Sequence, residues 1–99
     1  MAELEFEFDN GNIEKLQRVL EIKKVFISEA VSVFADRKKK ILETYNDANS
    51  SEKRYICFGK SNRGRYIRVI FVIRGNKIRI FNALPFSQKK HYEFYNSEI

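Results

Sequence analysis

This chain has no tryptophan, and cysteine, proline, methionine and histidine occur once each in its 99 residues. With Cys57 alone no internal disulfide can form, which fits a reducing compartment. Its place between Ile56 and Phe58 reads as a small buried hydrophobe. One histidine, His91, and no clustered Asp or Glu in the C-terminal half speak against zinc or two-metal sites, so no metal or other cofactor is expected. Long apolar runs are missing too: the longest, residues 69–73, is far too short to cross a bilayer. The first five residues are acidic and carry no apolar signal core, so a soluble, cytoplasmic protein without a membrane partner is expected. Repeats, low-complexity tracts and linkers are lacking, and residues 1–99 read as a single domain.

The most informative absence is of negative charge. Residues 53–92 hold eleven Lys or Arg and not one Asp or Glu. Residues 1–52 carry eight basic and eleven acidic side chains, −3, and residues 53–99 carry eleven and two, +9, for a net charge of +6. A local positive potential of this kind suits a polyanion such as nucleic acid or an acidic protein partner. The plainer alternative is a solvated surface that maintains solubility.

What is present patterns into strands and helices. Leu4, Phe6 and Phe8 alternate with Glu3, Glu5, Glu7 and Asp9, the period of a half-buried strand whose acidic face suits a place beside a basic sheet. Turn-forming residues 9–12 lead into Ile13, Leu16 and Leu20 at helical spacing. A second helix over residues 27–34 is expected to bury Ile27, Ala30, Val31 and Phe34. Arg37 to Lys40 form a basic run, read as solvated or as a substrate contact. Residues 41–45 read as a short strand and 46–51 as a polar loop.

Three basic strands follow, over residues 54–60, 66–73 and 77–81, joined by turns at Asn62-Arg63-Gly64 and Gly75-Asn76. The middle one is apolar on both faces and is expected to be central. In the last, Ile78 and Ile80 take the core face, while Lys77, Arg79 and Phe81 take the other. Pro85 ends that strand, and Ser87 is placed to cap a final helix reaching Tyr95, docked by Tyr92 and Tyr95 or Phe94.

In order along the chain, these residues resemble the BrnT-like toxins. Phe6-Glu-Phe-Asp9 is similar to that family's Phe-Glu-Trp-Asp, and Glu29-Ala-Val-Ser-Val-Phe-Ala-Asp36 to its second helix. Glu52-Lys-Arg54, Gly59-Lys-Ser61, Gly64-Arg65 and Arg74 resemble its Glu-x-Arg, Gly-x-Ser, Gly-Arg and strand-end Arg. Ile78-Arg79-Ile80 with Ala83 matches part of Ile-Arg-Ile-Ile-Ser-Ala-Arg. The resemblance implies an α+β, RelE-like fold: a twisted antiparallel sheet, β-α-α-β-β-β-α with room for one extra short strand. It also implies a type II toxin–antitoxin toxin with ribonuclease activity and a cognate antitoxin of ribbon-helix-helix type, as a dimer or heterotetramer. Departures are clear. The family's Lys-His-Gly appears as Val19-Leu20-Glu21, and the histidine usual before the second strand is absent, with Ala48 or Asn49 there. Leu84 stands where relatives have the Arg of Ser-Ala-Arg, and Lys90 where they have Glu.

Metal-free RNA cleavage asks a protein to orient the strand, stabilise a dianionic phosphorane and move protons. Arginine suits the phosphorane because its fork stays charged and meets phosphate oxygens in two directions. The expected catalytic residues are Arg65 and Arg79, then Lys60, with His91 as the general acid. Arg54, Arg63, Arg68, Arg74, Lys77 and Lys89 are expected to bind RNA. For Arg54, Lys60, Arg65 and Arg79 the alternative is an ion pair with the acidic first strand or a solvated charge, and for His91 an exposed side chain without a role. Tyr92 and Tyr95 could stack on bases or dock the last helix, and Ser61 and Ser87 show no neighbouring base to activate them. Two further readings remain: a toxin fold that no longer cleaves and survives as an antitoxin- or nucleic-acid-binding module, and a general nucleic-acid-binding domain.

Overall fold

The computed structural model describes residues 5–8, 10–44 and 53–98. The expected loop 46–51, Tyr45, Glu52, Leu4 and Asp9 lie outside the described residues. The elements run β1 (Glu5–Phe6), α1 (Asn10–Ile22), α2 (Ile27–Val33), β2 (Lys40–Thr44), β3 (Arg54–Lys60), β4 (Tyr66–Arg74), β5 (Lys77–Pro85) and α3 (Lys89–Tyr95). The extra short strand is therefore β2. The sheet order is β1-β5-β4-β3-β2. Every pairing from β2 to β5 is antiparallel, but β1 lies parallel to β5, so the expectation of a wholly antiparallel sheet is corrected at that edge. Two helices intervene before the chain returns to the sheet, which frees β1 from the antiparallel sense a hairpin would impose.

The strand apolar on both faces, β4, is central, as its composition requires. Ile67, Val69 and Phe71 are at most 1% exposed and meet Cys57 of β3 and Ile78, Ile80 and Ala83 of β5 in the main core. Leu16 and Leu20 of α1 and Ala30 and Val33 of α2 cover that core. Each buried Val, Leu, Ile or Phe among them contributes about 1.5–3 kcal/mol by leaving water. The other sheet face is covered in part by α3, where Phe58, Phe86 and Tyr95 form a second cluster with Ile56, Tyr66 and Phe94.

Two turns need left-handed backbone and have glycine there: Gly64 at φ 77° and Gly75 at φ 62°. Lys24 adopts the same region at φ 57° without being glycine. It closes α1, and Val25 N–H returns to the Leu20 carbonyl at 3.0 Å.

Among the described residues, strict alternation fails once. Ile70 faces Asn82, but the next residue, Phe71, faces Ile80, so Phe81 is an extra residue bulged out of β5. Phe81 therefore shares its face with Asn82 and Leu84 rather than alternating with Asn82.

Candidate nucleic-acid interface

The two faces of the sheet treat basic side chains differently. On the helix-covered side, Glu29 of α2 is completely buried, although the sequence reading placed Ile27, Val31 and Phe34 inward and left Glu29 out. Those three are half-buried, and Glu29, Ala30 and Val33 form the innermost face. The reason is polar. Arg65 Nε donates to Glu29 Oε2 at 2.7 Å, its Nη2 donates to Oε1, and Ser61 Oγ donates to Oε2 at 2.8 Å. The same Arg65 Nη2 donates to the carbonyl of the left-handed Lys24 at 2.7 Å. Arg65 beside it holds the Glu29 carboxyl below the ordinary carboxylate range, against the upward push of burial. Ser61 thus has a carboxylate neighbour after all, but one too well stabilised as an anion to serve as a base.

Asp36, just beyond α2, makes a second junction. Its Oδ2 accepts from Tyr95 Oη at 2.6 Å and from Lys60 N–H at 2.8 Å, and its Oδ1 accepts from Lys38 N–H at 2.9 Å. Burial pushes that carboxyl up, but these donors together hold it below its usual value. Burial and the Asp36 charge push the Tyr95 hydroxyl well up. Gly59 lets α2 come this close: a β-carbon there would stand 2.8 Å from Val33 Cγ1 and 3.1 Å from the Val33 carbonyl oxygen. Burial pushes the Cys57 thiol up to about 12, consistent with an inert core residue.

The opposite face presents rows of side chains across the strands. One row runs Lys40, Phe58, Arg68, Leu84, and the next runs Leu42, Ile56, Ile70, Asn82. Beyond it lie Thr44 beside Arg54, and Val72 beside Arg79. The Arg54 guanidinium stacks over Phe81 at 4.9 Å. Arg79 Nη1 lies 3.4 Å from Glu7 Oε1, so the acidic first strand does sit beside the basic sheet and pairs with it. Arg74 and Lys77 face each other where β4 turns into β5.

His91 closes one end of this face. It is 6% exposed, which corrects the alternative of an exposed bystander. Its ring packs on Phe58 and Phe86, both at 5.9 Å between centroids. Nδ1 accepts the backbone N–H of Ser87 at 3.1 Å and of Gln88 at 3.2 Å, so the neutral ring carries its proton on Nε2. Burial first, then the charges of Arg68 and Lys90, hold its pKa below the ordinary histidine value. The N-cap of α3 is Gln88 and not Ser87, because His91 reaches back to the backbone from the helix's first turn.

The expected site residues are therefore divided. Arg54, Arg68, Arg74, Lys77 and Arg79 share the open face, with Lys60 at its α3 end, 5.7 Å over the Tyr66 ring. Arg65 and Arg63 are elsewhere: the first is bound to Glu29 and the second stacks on Phe26 at 4.7 Å near α2. Lys89 lies in solvent on α3, 3.8 Å from Glu93. Tyr95 docks α3, and Tyr92 is 40% exposed, edge-on to Tyr66 and Phe86. Of the basic run, Lys40 is tied to the Ser97 carbonyl at 2.6 Å.

The family model for the ribonuclease toxin BrnT of type II toxin–antitoxin systems matches residues 9–89. The chain belongs to the BrnT family. It is thus a ribonuclease toxin of a type II system, and such a toxin has a cognate antitoxin as its partner. The chain has no match among the curated proteins compared. The BrnT-like elements Glu29, Gly59-Lys-Ser61 and Gly64-Arg65 meet in one place, where they fasten α2 to the sheet. Sequence reasoning missed Glu29 as a structural anchor. A lone acid in an apolar helix, with an arginine-bearing turn elsewhere, was the available signal. Among the described residues, no helix is long and apolar enough to cross a membrane, and no three His, Cys, Asp or Glu cluster to hold a metal ion.

Proposed function

We propose that the toxin is a metal-independent endoribonuclease that binds RNA across the open face of its sheet and cuts it in the cytoplasm, inhibiting translation. The observation that carries this reading is the sorting of charge. Arg54, Arg68, Arg74, Lys77 and Arg79 share the face opposite α1 and α2, while Arg65 is neutralised on the other. Between Arg68 and the Arg79 end lies the less polar row Leu42, Ile56, Ile70, Asn82, suited to sugar and base surfaces.

In this reading the 2′-oxygen forms a bond to the adjacent phosphorus and the bond to the 5′-oxygen breaks. The products are a 2′,3′-cyclic phosphate and, once the leaving 5′-oxygen takes a proton from water, a 5′-hydroxyl. Arg79 and Arg54 stabilise the charge that grows on the phosphorane. Glu7, already against Arg79, is the carboxylate at that end placed to accept the 2′-proton. Arg65 supports the site by fixing α2 and does not touch phosphate. Lys60 and His91 serve the α3 end of the strand. A cognate antitoxin of ribbon-helix-helix type covers the same face, in a dimeric or heterotetrameric complex, when the toxin is silent.

The test is to incubate purified toxin with mRNA in the presence of a chelator, with and without ribosomes, and to map the ends. Fragments ending in 2′,3′-cyclic phosphate are expected, with loss of cleavage in Arg79→Ala. Intact RNA with folded wild-type protein would overturn the proposal.

A further inference from the structure

We propose that Arg68 and His91 form a phosphate subsite for the RNA strand, separate from the Arg79 end of the same face. This rests on the reading that the face binds RNA. Four residues of β4 separate the Arg68 row from the Val72–Arg79 row, about 13 Å at the usual strand rise, so the two positions grip different points of the strand.

Arg68 is unusual among the described arginines. Its Nε is buried and has no hydrogen-bond partner among the described residues. Among the described residues its Nη2 meets only the Pro85 carbonyl, at 3.5 Å, a long contact for a charged donor. No described carboxylate lies within ion-pair distance of it. Across the strand on one side is Phe58, and on the other is Leu84. A guanidinium desolvated without an anion is costly, and burial weakens its hold on the proton. A bound phosphate relieves that cost by supplying the missing charge and acceptors.

His91 completes the subsite. Its ring packs at a tilt against Phe58, the register partner of Arg68, and its Nδ1 is occupied by two backbone donors. Its one remaining hydrogen-bonding group is therefore the Nε2–H donor, the polarity a phosphate oxygen requires. Leu84 now has an account as well. Directly opposite Arg68, an arginine there would set two like charges side by side. The row keeps one guanidinium, supplied from β4.

The experiment uses the full chain and a single-stranded 2′-O-methyl RNA, which binds but has no free 2′-hydroxyl to attack. Affinity is measured by fluorescence anisotropy over a salt series. Arg68→Met is expected to weaken binding about tenfold and to flatten the salt slope by about 0.7, the share of one single-strand phosphate. His91→Asn keeps an acceptor near the Nδ1 position but removes the Nε2–H donor, and is expected to weaken binding about threefold, the share of one hydrogen bond. The swap Arg68→Leu with Leu84→Arg, which moves the charge within its row, should recover most of the slope. Unchanged affinity and slope in Arg68→Met, with wild type binding and cleaving normally, would overturn the subsite alone. So would a loss confined to antitoxin binding, which would make the site a protein contact. A wild-type protein that neither binds nor cuts RNA would instead overturn the functional reading on which the subsite stands.

Discussion

Arg65 and Arg68 stand three positions apart around the start of β4, yet they end in opposite environments. Arg65 lies at the junction with α2, forked onto a buried carboxylate and a backbone carbonyl. Arg68 lies on the open face with its inner nitrogen unpartnered among the described residues. Both are arginines of the same acid-free basic stretch, and both were expected to meet RNA. The fold makes one a fastener and leaves the other in need of an anion. An arginine's task is set by what its guanidinium already holds.

The comparison can be broken most forcefully on the Arg65 side. Arg65→Ala strands Glu29 in the core without its main partner, and breaking a buried pair costs about 3–5 kcal/mol. Because the Arg65 side chain is 39% exposed, the lower end, about 3 kcal/mol, is expected as a drop in urea unfolding stability. Arg68→Met should differ from wild type by less than about 0.5 kcal/mol or be stabilising, since it removes a charge that burial opposes. Equal losses at both positions would erase the distinction.

Next in size is Gly59→Ala, which forces a β-carbon against Val33 and so against the helix that Arg65 fastens. Overpacking of this kind costs about 2 kcal/mol. The melting temperature should fall, and RNA affinity of the protein that remains folded should hold, because Gly59 faces away from the open side.

The smallest effect is in pH. His91 has a lowered pKa in the folded state, so the unfolded chain takes up a proton first as the medium is acidified. Its contribution is fully present above the ordinary value of 6.5 and is lost as pH falls through the folded value. Glu29 and Asp36 follow the same sign lower down, beginning below 4.5 and 3.8. His91→Asn should remove the upper limb of the stability curve and leave the carboxylate limb, as read by thermal melts across the pH range.

Much of the fold was legible because alternation and turn chemistry act locally. β3, β4, Gly64 and Gly75 fell where period two and positive φ required. The site was legible only in part. Arg54, Arg68 and Arg79 follow strand parity and could be placed on one face from sequence. Arg65 could not, because it lies in the turn before β4, where parity does not apply, and its partner is 36 residues distant in the chain. His91 was underrated because its burial depends on Phe58 and Phe86, which only tertiary packing brings beneath it.

The bulge at Phe81 has a consequence for how such a face can change. Downstream of it, Asn82 and Leu84 point outward and Ala83 inward because the bulge absorbs Phe81 without shifting the pairing. Deleting Phe81 while keeping the pairing would leave Asn82 and Leu84 outward and Ala83 inward, and would restore regular alternation after Ile80. A one-codon deletion at this point is thus a smaller step than one elsewhere in the strand, where a lost residue turns the later side chains to the other face. It removes the ring beneath Arg54 and spares the rest of the open surface, giving members of such a family a short genetic route to altered recognition.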